Sequence, residues 1–109
     1  MKYYKLEIFV PGDHAENVKQ AIFDAGAGNY GNYDRCCWQT TGTGQFRPLD
    51  GSRPFTGESG QVKYIDELKI ETICPEDKLN AVLSAMHQAH PYEIPAHHFW
   101  EIQLNSMEN

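Results

Sequence analysis

Six residues near the end of the chain, His90-Pro91-Tyr92-Glu93-Ile94-Pro95, place an imidazole, a phenol and a carboxylate close together. Two more imidazoles, His97 and His98, follow after Ala96. Imidazole nitrogens and carboxylate oxygens are ligands that zinc and copper accept. The candidate metal ligands are therefore His90, Glu93, His97 and His98, and the cofactor that they would take is a divalent zinc or copper ion.

Two facts set limits on a metal site. Neighbouring residues of a strand point to opposite faces, so at most one of His97 and His98 can join a single site. The spacing also matches no familiar zinc motif, and a solvated or structurally hydrogen-bonded histidine is the commoner outcome. For Glu93 we favour a carboxylate that pins a neighbouring chain across a subunit contact over one that acts in catalysis.

Other reactive side chains are weaker candidates. Cys36 and Cys37 lack an adjacent base or helix N-terminus, so we interpret both as strand residues rather than reactive thiols. Arg47 and Arg53 lie in a glycine-rich stretch and would receive an anion there. Together with Tyr92 and Glu93, these two arginines form the predicted ligand-binding or interface set, and the sequence predicts no catalytic residues.

The composition restricts the classes of function. A length of 109 residues predicts a single domain over 1–109. The net charge of −6, without a Lys/Arg cluster, excludes a nucleic-acid footprint. No apolar run is long enough for a membrane span, and no signal-peptide core follows the start, so we expect a cytoplasmic protein that does not bind membranes. Three cysteines, two of them adjacent, argue against a disulfide framework.

The elements that must position these residues follow from hydrophobic periodicity. Alternation from Tyr4 to Val10 predicts a strand. Asp13 and Glu16 form a capping-box pattern that begins a helix, which ends at Gly26. Gly26-x-Gly28-x-x-Gly31 has the spacing of a dinucleotide fingerprint, but it follows a helix instead of preceding one, so we interpret it as a tight connection.

The second half of the chain predicts the remaining elements. A second strand is expected over residues 33–41, then a long loop over 42–60 that folds back and packs. A long third strand is predicted over 61–74, with a bulge near Tyr64-Ile65-Asp66 and an overhang suited to pairing with another subunit. A second helix then runs to about Ala89, and a final strand spans 96–104.

This order of elements predicts an α+β fold, a ferredoxin-like βαββαβ sandwich. In this fold a single antiparallel sheet carries both helices on one face. The two prolines that bracket the 90–95 turn stop the second helix and force the chain to run extended into the last strand.

Three blocks of sequence, in order, carry a family resemblance. They are residues 25–33 (Ala-Gly-Ala-Gly-Asn-Tyr-Gly-Asn-Tyr) followed by Cys36, residues 42–48 (Gly-Thr-Gly-Gln-Phe-Arg-Pro) with 54–57 (Pro-Phe-Thr-Gly) and Gly60, and residues 90–96 (His-Pro-Tyr-Glu-Ile-Pro-Ala). Together they resemble the domain inserted in YqfO-type members of the Nif-three-like family, which have a dinuclear metal centre. The His-Pro-Tyr-Glu turn also resembles the signature of CutA, a divalent-cation-tolerance protein.

Both resemblances imply the PII/CutA type of ferredoxin-like fold, whose members commonly form trimers by extending sheets between subunits. A homo-oligomer, with a trimer favoured, is therefore the expected partner state. The family's two metals are held by flanking domains that the resemblance does not cover, so its hydrolase activity is not carried over. The chain also departs from the insert's usual Glu-Glu-Pro-Ala-Tyr-Asp ending, because Glu93-Ile94-Pro95-Ala96-His97-His98 stands there.

Three hypotheses result. The first is a non-enzymatic oligomeric binding or regulatory module with a small-molecule ligand, whose clefts are lined by the loop 42–60 and the turn 90–98. The second is a divalent metal binder akin to CutA, which would use His90, Glu93 and one of His97 or His98. The third and weakest is a metal-dependent hydrolase, motivated only by the family association.

Overall fold

The structure, a computed structural model, describes residues 1–104. Its elements are β1 (Tyr3–Pro11), α1 (Ala15–Asp24), β2 (Trp38–Phe46), β3 (Lys63–Pro75), α2 (Leu79–Ala89) and β4 (His97–Ile102). The strands form one antiparallel sheet in the order β2-β3-β1-β4. The predicted α+β, βαββαβ fold is confirmed. Within the described residues, neither helix is long and apolar enough to cross a membrane.

The hydrophobic core lies between one face of the sheet and the two helices. Alternate residues of β1 are fully buried, as the period of two predicts, and each helix contributes its apolar stripe. Complete burial of one large aliphatic side chain contributes about 1.5–3 kcal/mol. A single cluster contains Leu6, Ile8 and Val10 of β1, Val18 and Ile22 of α1, Ile70 and Cys74 of β3, and Val82 and Met86 of α2. Both helices therefore cover the same face.

The opposite face of the sheet, which we call the helix-free face, carries charged and aromatic side chains. Lys5 bonds to Glu71 at 3.1 Å, and His98 lies 2.9 Å from Glu7. Trp100 is Lys5's cross-strand neighbour and remains 46% exposed. This face is therefore amphipathic, with ion pairs beside exposed rings.

The second strand was predicted in the wrong place. Strand β2 covers Trp38–Phe46, whereas the prediction was 33–41 followed by a loop over 42–60. Residues before Trp38 form a turn instead, with a Tyr30–Tyr33 bridge and Arg35 at a φ of 55°. The glycines that suggested a loop continue the strand, and the connection begins after Phe46.

Two local predictions were also wrong. The register of β2 with β3 runs without interruption from Trp38↔Glu71 to Phe46↔Lys63, so no bulge occurs near Tyr64. No side-chain cap bond begins α1, because a 3-10 turn over Gly12–His14 leads into the helix and the Asp13 carboxylate contacts His14 at 3.1 Å. The predicted capping box is therefore replaced by a tighter turn.

The long third strand projects beyond the body of the sheet. β1 pairs with β3 only as far as Glu67, whereas β2 pairs with β3 down to Lys63. Residues 43–46 and 63–66 thus form a two-stranded extension, which we call the arm. The molecule is elongated, at 54 × 24 × 22 Å with a radius of gyration of 15.2 Å, against about 13 Å for a compact chain of this length.

Candidate functional site

The proline-bracketed turn has the conformation that the sequence predicts. Helix α2 ends at Ala89, and His90 is extended, with φ −81° and ψ 137°. Its N–H still donates to the Met86 carbonyl at 2.9 Å, which closes the last helical turn. The chain then enters β4, and the Phe9 N–H donates to the Ala96 carbonyl at 3.1 Å. The turn is therefore fixed at both ends.

The imidazole of His90 is a structural group in this fold. It is 6% exposed, its Nε2 lies 2.7 Å from the Phe9 carbonyl oxygen, and the Tyr92 N–H donates to its Nδ1 at 3.2 Å. The neutral imidazole with a proton on Nε2 satisfies both contacts. Burial lowers the pKa of His90 against the opposing effect of the Phe9 carbonyl, and this favours the neutral form.

The phenol of Tyr92 points toward β3. Its O–H donates to Oε2 of Glu67 at 3.0 Å. Burial raises the pKa of Tyr92, and the hydrogen bond to Glu67 raises it further, so the phenol stays protonated. Gly44 of β2 makes this arrangement sterically feasible, because a Cβ at that position would overlap the Glu67 carboxylate.

The carboxylate of Glu93 holds the long connection between β2 and β3. The backbone N–H of Arg53 donates to its Oε1 at 2.6 Å. We predicted that Glu93 pins a neighbouring chain, but the contact shown lies within its own chain. The turn therefore fixes the connection over residues 47–62.

That connection is also ordered by its own hydrogen bonds. The Gly60 N–H donates to the Pro48 carbonyl at 2.7 Å, and the Ser59 hydroxyl donates to Asp50 at 3.2 Å. The Ser52 hydroxyl closes a tight turn on the Leu49 carbonyl at 2.7 Å. As predicted for this region, the connection folds back, and Pro48 at its base is buried.

Aromatic rings join the turn to the connection. The ring centroid of Tyr92 lies 6.1 Å from that of Phe46 and 6.2 Å from that of Phe55, with interplanar angles of 53° and 49°. His14 meets Phe55 edge to face at 5.3 Å. Tilted rings at these distances make favourable contacts, so they hold the connection against the turn.

A cleft of about 250 Å³ lies between the turn, the base of the arm and the connection. Its walls are mostly apolar, and two carboxylates are the charged groups that line it. The main lining residues, which define what we call the cleft, are Phe46, Pro48, Phe55, Glu67, Tyr92 and Glu93. Arg47 and Arg53 were predicted as anion ligands, but neither is among the described residues that line the cleft.

The four predicted metal ligands do not converge in one chain. His98 lies on the helix-free face, where its Nδ1 is 2.9 Å from Glu7, and His97 has its Nδ1 2.8 Å from the Pro95 carbonyl oxygen. The expectation that His97 and His98 point to opposite faces is met. Throughout residues 1–104, no three His, Cys, Asp or Glu side chains form a group that could hold a metal ion.

The cysteines occupy separate environments. The Cys36 N–H donates to the Gly28 carbonyl at 2.9 Å, and the Thr72 hydroxyl donates to the Cys36 carbonyl at 2.7 Å, so this residue ties the connection after α1 to the sheet. Cys37 is exposed, whereas Cys74 is buried in the core. Burial, together with nearby Asp77, raises the pKa of the Cys74 thiol to about 11.

Glu67 is the site residue that sequence reasoning missed. It sits in an alternating strand where a charged side chain is ordinary, and its partner Tyr92 is 25 positions away. One signal was present in the sequence, because Gly42 and Gly44 interrupt a strand and a glycine within a strand often marks a close approach. The predicted loop over 42–60 includes both glycines, so it conceals this signal.

The sequence is similar to a segment of several known proteins. No protein-family model matches the chain. It is 46% identical over 99 residues to a GTP cyclohydrolase 1 type 2 homolog of Halalkalibacterium halodurans, covering 91% of this chain and 27% of the relative. A relative of the same name from Mycobacterium leprae is 49% identical over 92 residues, covering 84% of this chain and 24% of the relative. The chain spans about a quarter of the length of these curated relatives.

A solved structure shows the same relationship. A Bacillus cereus protein related to NIF3 superposes with a TM-score of 0.82 at 40% identity, over 94% of this chain and 26% of that protein. This chain is homologous to one segment of NIF3-related proteins. The predicted resemblance to a segment of NIF3-related proteins is therefore confirmed.

More distant structures share the fold alone. CutA from Archaeoglobus fulgidus, a periplasmic divalent cation tolerance protein, superposes with a TM-score of 0.68 at 14% identity, over 96% of this chain and 88% of CutA. GlnK from B. subtilis gives a TM-score of 0.61 at 16% identity, over 94% of this chain and 86% of GlnK. The chain therefore has the PII/CutA type of fold that the sequence predicted.

Proposed function

We propose that this chain is a non-enzymatic, homo-oligomeric binding or regulatory module, with a trimer as the favoured assembly. The observation that carries the proposal is the cleft. It is formed within one chain, and the hydrogen bonds of its polar side chains hold its walls in place. Glu67 accepts from the Tyr92 hydroxyl, and Glu93 accepts from the Arg53 N–H. This arrangement suits the holding of a ligand in a fixed pocket.

The arm supports the oligomeric part of the proposal. Residues 63–66 pair with β2 on one side, and the described residues of the chain offer them no strand on the other. An unpaired strand edge is a template for another chain. Tyr64 on this edge is 63% exposed, and Trp38 at the start of β2 is 69% exposed. A second copy that adds a strand here would also cover Tyr64, whereas Trp38 lies at the far end of β2, on the other side of β3.

Light scattering tests the assembly. We expect a molar mass of three times the 12.4 kDa chain at micromolar concentration. Tyr64→Lys places a charge on the open edge and should lower the mass, because lysine on an edge strand opposes pairing. Tyr33→Lys is the matched control, since Tyr33 is 74% exposed outside the sheet strands. A strict monomer, or equal masses for the wild type and Tyr64→Lys, contradicts the assembly.

The absence of catalysis has its own test. The relatives' name refers to GTP cyclohydrolase, so GTP with added zinc or manganese is the relevant substrate mixture. We expect GTP to remain intact when it is incubated with this chain and either metal. Turnover that scales with protein concentration overturns the non-enzymatic part of the proposal.

A second proposal is divalent metal binding, and one contact favours it. The rings of His87 and His97 meet edge to face, with centroids 5.1 Å apart, on the helix side of the sheet. Two imidazoles are half of a tetrahedral zinc site, so another copy would have to complete it. Elemental analysis of untagged protein after gentle purification tests this. Less than one metal per assembly rejects the proposal, whereas one metal or more per assembly that is lost in His97→Ala supports it.

A further inference from the structure

We infer that the cleft binds a small organic cation, an amine or guanidine attached to an apolar group. The inference rests on the proposed binding function and names its ligand class. It follows from the shape, the aromatic walls and the charge of the cleft taken together.

The walls of the cleft suit an apolar body with a positive end. Tyr92 stands between Phe46 and Phe55, and the ring planes tilt by about 50° instead of stacking. Ring faces that line a concave space attract an ammonium or guanidinium group through their quadrupoles. The same rings and Pro48 remove water from an apolar substituent.

The charged side chains that line the cleft are both acidic. Glu67 and Glu93 line it, and among the described lining residues there is no lysine or arginine. Tyr92 donates to Oε2 of Glu67, and Oε1 lies against Gly44, so Glu67 contributes its charge to the cleft. Glu93 keeps Oε2 to accept a bond from a ligand N–H, since the Arg53 N–H binds Oε1. A charge-assisted bond to this oxygen would be stronger than a neutral one.

The same features disfavour anions and larger ligands. An anion would approach two carboxylates with no cation among the lining residues to offset them. The volume of about 250 Å³ is below the usual range of about 300–1,000 Å³ for drug-sized ligands. The ligand class is therefore cationic and close to an amino acid in size.

Three probes of similar size test this ligand class by isothermal titration at neutral pH. They are phenethylammonium, the neutral 2-phenylethanol and the anionic phenylacetate. We expect the cation to bind at least tenfold more tightly than the alcohol, and phenylacetate not to bind. Chemical-shift changes at Phe46, Phe55 and Tyr92 should locate the bound cation in the cleft.

Glu67→Gln isolates the charge. The glutamine amide oxygen can still accept from Tyr92, so the walls should keep their shape while the negative charge is lost. We expect the affinity for phenethylammonium to fall at least tenfold, toward that of the alcohol. Glu101→Gln is the control, because it makes the same charge change on exposed β4 and should leave the affinity unchanged. Circular dichroism checks that both variants are folded.

Several results would overturn the inference. These are tighter binding of phenylacetate than of the cation, no binding of any probe, or equal loss of affinity in Glu67→Gln and Glu101→Gln. The proposed function is judged separately, because the molar mass and its response to Tyr64→Lys do not depend on these probes. If phenylacetate binds in the cleft of a trimer, the proposed binding module is supported and the proposed cationic ligand class is rejected.

Discussion

At the scale of the residue, the turn shows how three polar side chains gain fixed roles from distant partners. The sequence places His90, Tyr92 and Glu93 together, and the prolines explain why the chain is extended there. Their partners lie 81, 25 and 40 positions away along the chain. Local sequence cannot reveal such contacts, which explains why the residues were predicted and their bonding was not.

The buried imidazole of His90 makes stability depend on pH. Its folded-state pKa is lowered from 6.5, so below that value the unfolded chain binds a proton that the folded chain does not. The contribution of neutral His90 to the free energy of unfolding should therefore be complete above about pH 6.5 and should decrease as the pH falls toward the folded-state pKa. Protonation would also remove the acceptor for the Tyr92 N–H. Urea titrations between about pH 8 and pH 5 measure the change.

His90→Gln is the control for this pH dependence. The glutamine amide can still donate to the Phe9 carbonyl, but it does not titrate. Its stability should change less across the same range, because the titrating imidazole has been removed. Identical pH profiles for the variant and the wild type would contradict the role given to His90.

At the scale of the element, β1 and β3 were predicted well and β2 was not. β1 and β3 alternate because one face of each packs on the helices, and that alternation is visible in the sequence. Strand β2 is exposed over most of its length and contains two glycines, so it has no alternation to read. Its position is set by pairing with β3, which is a tertiary constraint.

The two glycines of β2 allow a matched test of the contact with Glu67. Gly44→Ala would overlap the Glu67 carboxylate and displace it from Tyr92, whereas a Cβ at Gly42 meets nothing within 4 Å. Glu67 can swing aside, so we expect Gly44→Ala to lower the free energy of unfolding by no more than the lost hydrogen bond to Tyr92, about 0.5–1.5 kcal/mol. Gly42→Ala should be neutral or slightly stabilising. Denaturant unfolding measures both, and equal effects would contradict the packing described.

At the scale of the whole molecule, the βαββαβ order predicted the topology and the oversized third strand predicted an extension. The sequence predicted clefts lined by the loop 42–60 and the turn 90–98, and what it did not supply is the wall that β3 adds through Glu67. Homology to one segment of NIF3-related proteins agrees with this fold. The arm gives the chain an open sheet edge, and the cleft gives it a place for a ligand.

Hydrogen exchange at residues 63–66 tests the central claim, that a second copy completes the arm. In an antiparallel strand alternate N–H groups point away from the existing partner, so part of this segment faces the open edge. We predict that those amides are protected at micromolar concentration and lose their protection on dilution or in Tyr64→Lys. Exchange at the unprotected rate at every concentration, while β1 and the rest of β3 stay protected, would contradict the account.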